Sequence, residues 1–173
     1  MNSELIDVEV VNKSSEAEGI VSFELAPTTG GLLPAFTPGA HIDLILPNGL
    51  IRQYSLYEHS ASPTSYKIAV LREPESRGGS EYVHENLQVG STLQISAPRN
   101  HFELVTAKKY LLLAGGIGVT PIMCMAGKLA RENADFTLHY CCRSRERMAF
   151  EQRLSTSDFA ANVHLHIDEE STQ

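Results

Sequence analysis

The chain changes its hydrophobic rhythm once, near residue 106, and that change limits what it can fold into more than any other feature. Up to about residue 105, short runs of β-forming residues alternate with turn signals: IDVEVVNKS, GIVSFELAP, AHIDLILPNG, YKIAVLRE and STLQISAP. Their regular spacing predicts an antiparallel barrel or sandwich. Asn48-Gly49, after Pro47, is a two-residue hairpin signal. One stretch breaks the alternation: GSEYVHENLQVG sets Tyr82, Val83 and Leu87 at helical spacing, with Gly90 as a stop.

Beyond FELVTAKK the pattern becomes strand, helix, strand, helix, strand, the signature of an α/β unit. YLLLAGG is a continuous apolar run ending in glycines, as expected of a parallel strand buried on both faces. TPIMCMAGKLAREN follows as a helix with Thr120 at the N-cap and Pro121 at the first helical position. FTLHYCC and NVHLHID read as further strands, with AFEQRLS as the helix between them. The expected division is residues 1–105 and 106–173. Three parallel strands make a small nucleotide-binding unit, so the second part is expected to be truncated.

A net charge of -7 gives no basic footprint for nucleic acid, which is excluded as a partner class. No apolar run reaches the roughly 18–20 residues of a membrane helix, and MNSELIDVEV lacks the basic start and apolar centre of a signal peptide, so a cytoplasmic location is expected. Cys124, Cys141 and Cys142 are odd in number and lie in apolar runs, which points to core packing rather than a disulfide framework. His101, His164 and His166 are assigned structural roles, and no metal site is expected.

Three short stretches suggest chemistry, each with a plain alternative. AGGIGVTP, residues 114–121, places Gly115, Gly116 and Gly118 between a strand and a helix, where backbone amides and the helix dipole favour a diphosphate; a tight strand-to-helix turn would look the same. SRGGS, residues 76–80, offers the amides of Gly79 and Ser80 and a hydroxyl to an anion, or is a capped surface turn. Arg52, Tyr54 and Ser55 lie within four residues, and a strand end or bulge is needed to bring Ser55 to the side shared by Arg52 and Tyr54. An ordinary half-exposed strand is the alternative.

Taken in order, RQYSL, SRGGS and GGIGVTP resemble the three signature stretches of the ferredoxin-reductase-like flavoproteins, most closely the phthalate dioxygenase reductase family. The resemblance covers essentially the whole chain, including PGAHIDLILPNG and FTLHYCCRSRERMAF. It implies a β barrel plus α/β fold: an antiparallel Greek-key barrel that binds FMN, followed by a partial parallel-sheet domain that takes NADH. It also implies a C-terminal ferredoxin domain with a 2Fe-2S cluster in the full-length parent, and an oxygenase component of Rieske type as electron acceptor. Hydride passes from nicotinamide C4 to flavin N5 in that scheme, and electrons leave singly.

Carried over by position, the resemblance puts Arg52 and Ser80 on the flavin phosphate, with the Gly79 amide assisting. It packs Tyr54 on the isoalloxazine, sets the Ser55 hydroxyl near N5, and brings the backbone about Ile68 and Ala69 to the pyrimidine edge. Gly116, Gly118 and Thr120 line the nicotinamide nucleotide site, Ser55 and Thr120 being nearest the chemistry; Gln53 receives no role. The sequence ends at Gln173, without the later Cys-Gly-Pro stretch or a four-cysteine cluster motif. Arg143 and Arg145 after the second α/β strand suit the 2′-phosphate of NADPH, whereas the resemblance implies NADH, which is the expectation adopted. An FAD-dependent relative and a non-catalytic flavin-binding module stand as alternatives.

Overall fold

The computed structural model describes residues 5–75 and 78–170. Six strands, β1 (Ile6–Ala17), β2 (Ile20–Pro27), β3 (His41–Ile45), β4 (Ile51–Ser55), β5 (Tyr66–Leu71) and β6 (Thr92–Ile95), form an antiparallel sheet in the order β4-β3-β6-β1-β2-β5. An isolated bridge between Leu56 and Ile68 brings the two edge strands together, so the sheet curls on itself. Curvature of this kind needs irregular pairing, and the long strand β1 supplies it with register shifts at Val10/Asn12 and Ser15/Ala17 against β2. Alternation then fills the interior: Val8, Val10, Leu25, Ile42, Leu44 and Ile95 are all fully buried.

The β3–β4 hairpin differs from the expected two-residue turn. Leu46 N–H donates to Leu50 O and Gly49 N–H to Leu46 O, so the loop has three residues, Pro47, Asn48 and Gly49. Among the described non-glycine residues only Asn133 and Phe150 have positive φ, whereas a two-residue Asn-Gly turn would require it of Asn48 as well. Pro47 instead suits the first corner of an ordinary turn, and Gly49 (φ 82°) closes the loop in the left-handed region.

The helix α1 (Gly79–Asn86) stops at Leu87, three residues before the expected glycine. Buried Val83 and Leu87 hold it against the sheet, and Lys13 Nζ donates to the carbonyls of His84 and Leu87, both at 2.8 Å. A cation there satisfies carbonyls that the helix leaves unpaired at its C-terminus. Its N-terminus is thereby fixed toward β4. Ser76 and Arg77 of the SRGGS stretch lie outside the described residues.

The parallel sheet comprises β7 (Tyr110–Gly115), β8 (Phe136–Cys142) and β9 (Val163–Ile167) in that order. A single 3-10 turn (Gly116–Gly118) leads into α2 (Val119–Arg131), and α3 (Glu151–Ser155) follows β8. The helix therefore begins before Thr120, which is not its N-cap; the Thr120 hydroxyl donates back to Ile117 O at 3.1 Å. Leu112, Ala114, Leu138 and Tyr140 pack with α2 and with Leu154 of α3 in one cluster. The strands follow in chain order, β7-β8-β9, and crossovers of one hand taken in one direction place both helices on one face. Among the described residues nothing covers the opposite face, with Leu111 64% and Leu113 65% exposed, so β7 is not buried on both faces as its apolar run suggests.

The two sheets share their cores. Ile20, Tyr57 and Ala69 of the antiparallel part belong to the cluster around α2, and Cys124 of α2 belongs to the other. No described helix is long and apolar enough to cross a membrane.

Candidate functional site

Strand β4 ends at Ser55, and this is what unites the RQYSL residues. Arg52, Gln53, Tyr54 and Ser55 all line one cleft of about 660 Å³, together with Ala69, Ser80, Gly118 and Thr120. Its walls come from β4 and β5, its end from the start of α1, and its far side from the turn into α2. Seven of the sequence-predicted residues thus meet in one place.

Of the other three, two lie beside it. Ile68 is fully buried in the ladder with β2, beside Ala69. Gly79 lies under the Arg52 side chain: a Cβ there would overlap Nε and sit 2.8 Å from Cγ and from Cζ. Only glycine lets the arginine cross the first turn of α1, where the positive end of the helix dipole and a cation then face the same region. Arg52 Nη1 also donates to Ile51 O at 2.8 Å, and the Ser80 hydroxyl accepts from Glu73 N–H at 3.1 Å. The third, Gly116, lines a neighbouring cleft instead.

Burial pushes the Tyr54 phenol up to about 12, only partly offset by the Arg52 charge. Tyr54 therefore stays protonated at neutral pH and presents a ring face with a polar tip. The combination of a flat aromatic wall, a hydroxyl and an anion-attracting end suits an extended planar ligand with a terminal negative group.

The neighbouring cleft, about 620 Å³, is lined by Gly19, Ile20, Arg72, Gly116, Cys141, Arg143, Arg147 and Asp168 among others. Leu71, Glu73 and Ile117 border both clefts, so the glycine turn lies where they meet. A Cβ added at Gly115, Gly116 or Gly118 would meet nothing within 4 Å, which means that this backbone faces open space. Gly116 has φ 51°, a conformation that suits glycine.

The basic pair after β8 separates. Arg143 lines the second cleft, while Arg145 is held by Glu151 and by Glu170 at 3.0 Å. Of the cysteines, Cys124 and Cys142 are buried as expected, but Cys141 is exposed, on the side of the sheet that no described helix covers. Leu71, Glu73 and Glu75 also line the cleft with no sequence signal of their own, and Ile117 and Pro121, though within AGGIGVTP, had no site role. They carry no periodic signal; only proximity to SRGGS and GGIGVTP hinted at them.

No protein-family model matches the chain. It is 52% identical over 167 residues to vanillate O-demethylase oxidoreductase of Pseudomonas putida, covering 96% of this chain and 52% of that protein. With the phthalate 4,5-dioxygenase oxygenase reductase subunit of Pseudomonas putida it shares 42% identity over 163 residues, covering 93% of this chain and 50% of that one. The solved structure of phthalate dioxygenase reductase, described as modular for electron transfer from pyridine nucleotides to 2Fe-2S, matches with a TM-score of 0.91 and 37% identity, over 95% of this chain and 52% of that one. The chain spans about half the length of these relatives. Over the length it covers, the chain belongs to the phthalate dioxygenase reductase family of ferredoxin-reductase-like proteins.

Proposed function

We propose that this chain is the flavin- and nicotinamide-binding part of an NADH-dependent reductase that serves an oxygenase component. The observation that carries the reading is the convergence of Arg52, Tyr54, Ser55, Ala69, Ser80, Gly118 and Thr120 on one cleft. The names of the relatives support it, since they are reductase and oxidoreductase components. In this reading the flavin part ends near residue 105 and the nucleotide part begins near 106.

The residues fit FMN. Arg52, laid across Gly79 at the start of α1, and Ser80 hold the phosphate, because a guanidinium and helix N-terminal amides both favour an anion. Tyr54 packs its ring on the isoalloxazine, and Ser55 donates a hydrogen bond toward N5. The backbone of Ile68 and Ala69 meets the pyrimidine edge. Gly116, Gly118 and Thr120 let a nicotinamide nucleotide approach from the second cleft, which Ile117 and Leu71 join to the first. The chemistry that a bound flavin supplies is acceptance of a hydride and release of single electrons. The side chains bind and orient; none is placed to act as a general acid or base. A 2Fe-2S cluster and the oxygenase partner belong to the full-length parent in this reading.

The test is flavin extraction and chromatography from the purified chain, followed by anaerobic addition of NADH or NADPH. A yellow protein carrying FMN and bleached by NADH is expected. A colourless protein that takes up neither FMN nor FAD would refute the reading.

A further inference from the structure

The segment that leaves β4 serves two places at once. Tyr54 and Ser55 line the cleft assigned to the flavin, Leu56 bridges to Ile68, and a few residues further on His59 meets Arg131, the last residue of α2. His59 Nε2 is 3.0 Å from Phe36 O, and Arg131 Nη2 is 3.1 Å from His59 Nδ1. A carbonyl oxygen only accepts and a guanidinium only donates, so Nε2 carries the proton and Nδ1 offers its lone pair. His59 is therefore neutral in this arrangement. The Phe36 ring meets the imidazole edge-on at 5.5 Å and helps to hold it. Just before it, Glu58 accepts from Lys67 of β5 at 2.8 Å and from Arg153 of α3, and the Tyr57 ring packs on Phe150. Neither His59 nor Arg131 lines the flavin cleft.

We propose that His59 and Arg131 are positioning residues: their contact sets the tilt of α2 and so places Gly118 and Thr120 beside the flavin, an inference that rests on the function proposed above. Cys124, 1% exposed, sits in the core of the antiparallel sheet, so α2 is held there between its two ends. At a rise of 1.5 Å per residue, Val119 lies about 7.5 Å from Cys124 on one side and Arg131 about 10.5 Å on the other. A shift of about 1 Å at Arg131 thus moves the end that faces the flavin by roughly 0.7 Å. Hydride transfer tolerates little of this, since a misplacement of about 1 Å can cost roughly a hundredfold in rate. A hydrogen bond near the surface adds little net stability. Its effect therefore falls on position. Protonation of His59 would set N–H against N–H and open the contact. Burial lowers the His59 pKa, the bond to Phe36 O raises it, Arg131 and Lys128 of α2 lower it, and Glu132, which pairs with Lys128, raises it, the net direction being down. The contact is intact at neutral pH and opens below the ordinary imidazole value of about 6.5.

Two measurements on three variants test this. Hydrogen exchange in the purified chain follows the peptide that spans Gly116–Gly118 and the start of α2, and anaerobic stopped flow follows reduction of bound FMN by saturating NADH. Arg131→Met keeps the aliphatic stem without the donors, His59→Leu removes the acceptor, and His59→Asn keeps an acceptor near the place of Nδ1 without a titrating ring. Arg131→Met and His59→Leu should speed exchange in that peptide and slow reduction by about tenfold, with FMN affinity unchanged. His59→Asn should retain the wild-type values. Acidification from about pH 7.5 to about pH 5.5 should slow reduction in the wild type more than in His59→Asn. Where His59→Leu fails to fold by circular dichroism, Arg131→Met carries the test. If NADH does not bleach the wild-type flavin, the proposed function fails, and exchange alone decides: faster exchange supports the role in tilting α2 and unchanged exchange overturns it. With bleaching established, wild-type reduction rates in Arg131→Met and His59→Leu, or losses in His59→Asn as large as in His59→Leu, would overturn the proposal.

Discussion

The two sheets meet the same requirement, burying apolar side chains, by different means. The antiparallel sheet curls on itself through the Leu56–Ile68 bridge, and its inward residues are buried mainly among one another, with Cys124 of α2 as the one contribution from the helix side of the parallel part. The parallel sheet relies on helices for cover, and α2 and α3 cover only one face, leaving Leu111 and Leu113 exposed on the other. Parallel sheets normally have both faces covered. The difference explains where the cleft forms. Its anion-attracting end rests on β4, β5 and α1, which the closed sheet fixes, while the turn into α2 borders it from the half-covered one.

The largest expected effect sets the two sheets directly against each other. Leu44 is fully buried in the closed sheet, and Leu44→Ala should cost roughly 2–5 kcal/mol through lost burial and the cavity left behind. Leu113, 65% exposed, has little burial to lose, and Leu113→Ala should stay within about 0.5 kcal/mol. Urea denaturation of both variants measures this. Comparable losses would mean that the bare face is covered in solution, by self-association or otherwise.

Next in size is the anion-attracting end of the cleft. Removing a charge-assisted hydrogen bond costs roughly 1.5–3 kcal/mol. Arg52→Ala should therefore weaken FMN binding by about ten- to a hundredfold. Riboflavin, without a phosphate, should be nearly unaffected. Equal losses for the two flavins would show that Arg52 supports the closed sheet rather than the ligand.

The same contrast explains what the sequence disclosed. Period-two alternation revealed the strands of the closed sheet, because each strand has one inward face. It failed for β7: YLLLAG has an apolar residue at almost every position and cannot show which face lacks a cover. The cleft was legible through Arg52, Tyr54, Ser55, Ser80 and Gly118, residue types that the resemblance ties to a role. Glu73 and Ile117 were not, since only the tertiary meeting of β5 with the turn into α2 makes them neighbours. The three-residue hairpin was hidden for a local reason, Pro47 changing the turn that Asn48-Gly49 would otherwise make. His59 and Arg131 looked unrelated because only the packing of α2 beside the segment after β4 brings them together.

Two glycines sharpen the comparison at smaller cost. At Gly79 a Cβ would run into the Arg52 side chain, whereas at Gly118 it would meet nothing within 4 Å. Neither has the positive φ that would strain an alanine. Gly79→Ala should displace Arg52 and weaken FMN binding by roughly tenfold, a fraction of the charge-assisted bond. Gly118→Ala should leave FMN binding intact and raise the KM for NADH in the full-length reductase. If Gly79→Ala binds FMN normally, the arginine does not need the space above the helix.

The smallest effect is a pH dependence, with one tyrosine facing the cleft and one in the cluster of the half-covered sheet. Burial pushes both Tyr54 and Tyr57 up to about 12, against about 10 in an unfolded chain. For Tyr57 a hydrogen bond with Ser22 and the Arg153 charge oppose that rise. Between these pH values the folded chain binds more protons than the unfolded one, so stability is intact below about pH 10 and falls as pH rises toward about 12. Urea midpoints at about pH 8 and about pH 11 measure the loss, and tyrosinate absorbance for these two rings should appear together with unfolding. Tyr54→Phe and Tyr57→Phe should each flatten the slope. Bound FMN should protect Tyr54 further, by covering the cleft, and leave the contribution of Tyr57 unchanged, since that ring packs on Phe150 at 4.8 Å. If either tyrosine ionises near pH 10 while the chain remains folded, its side of the interface is wetter than the packing implies.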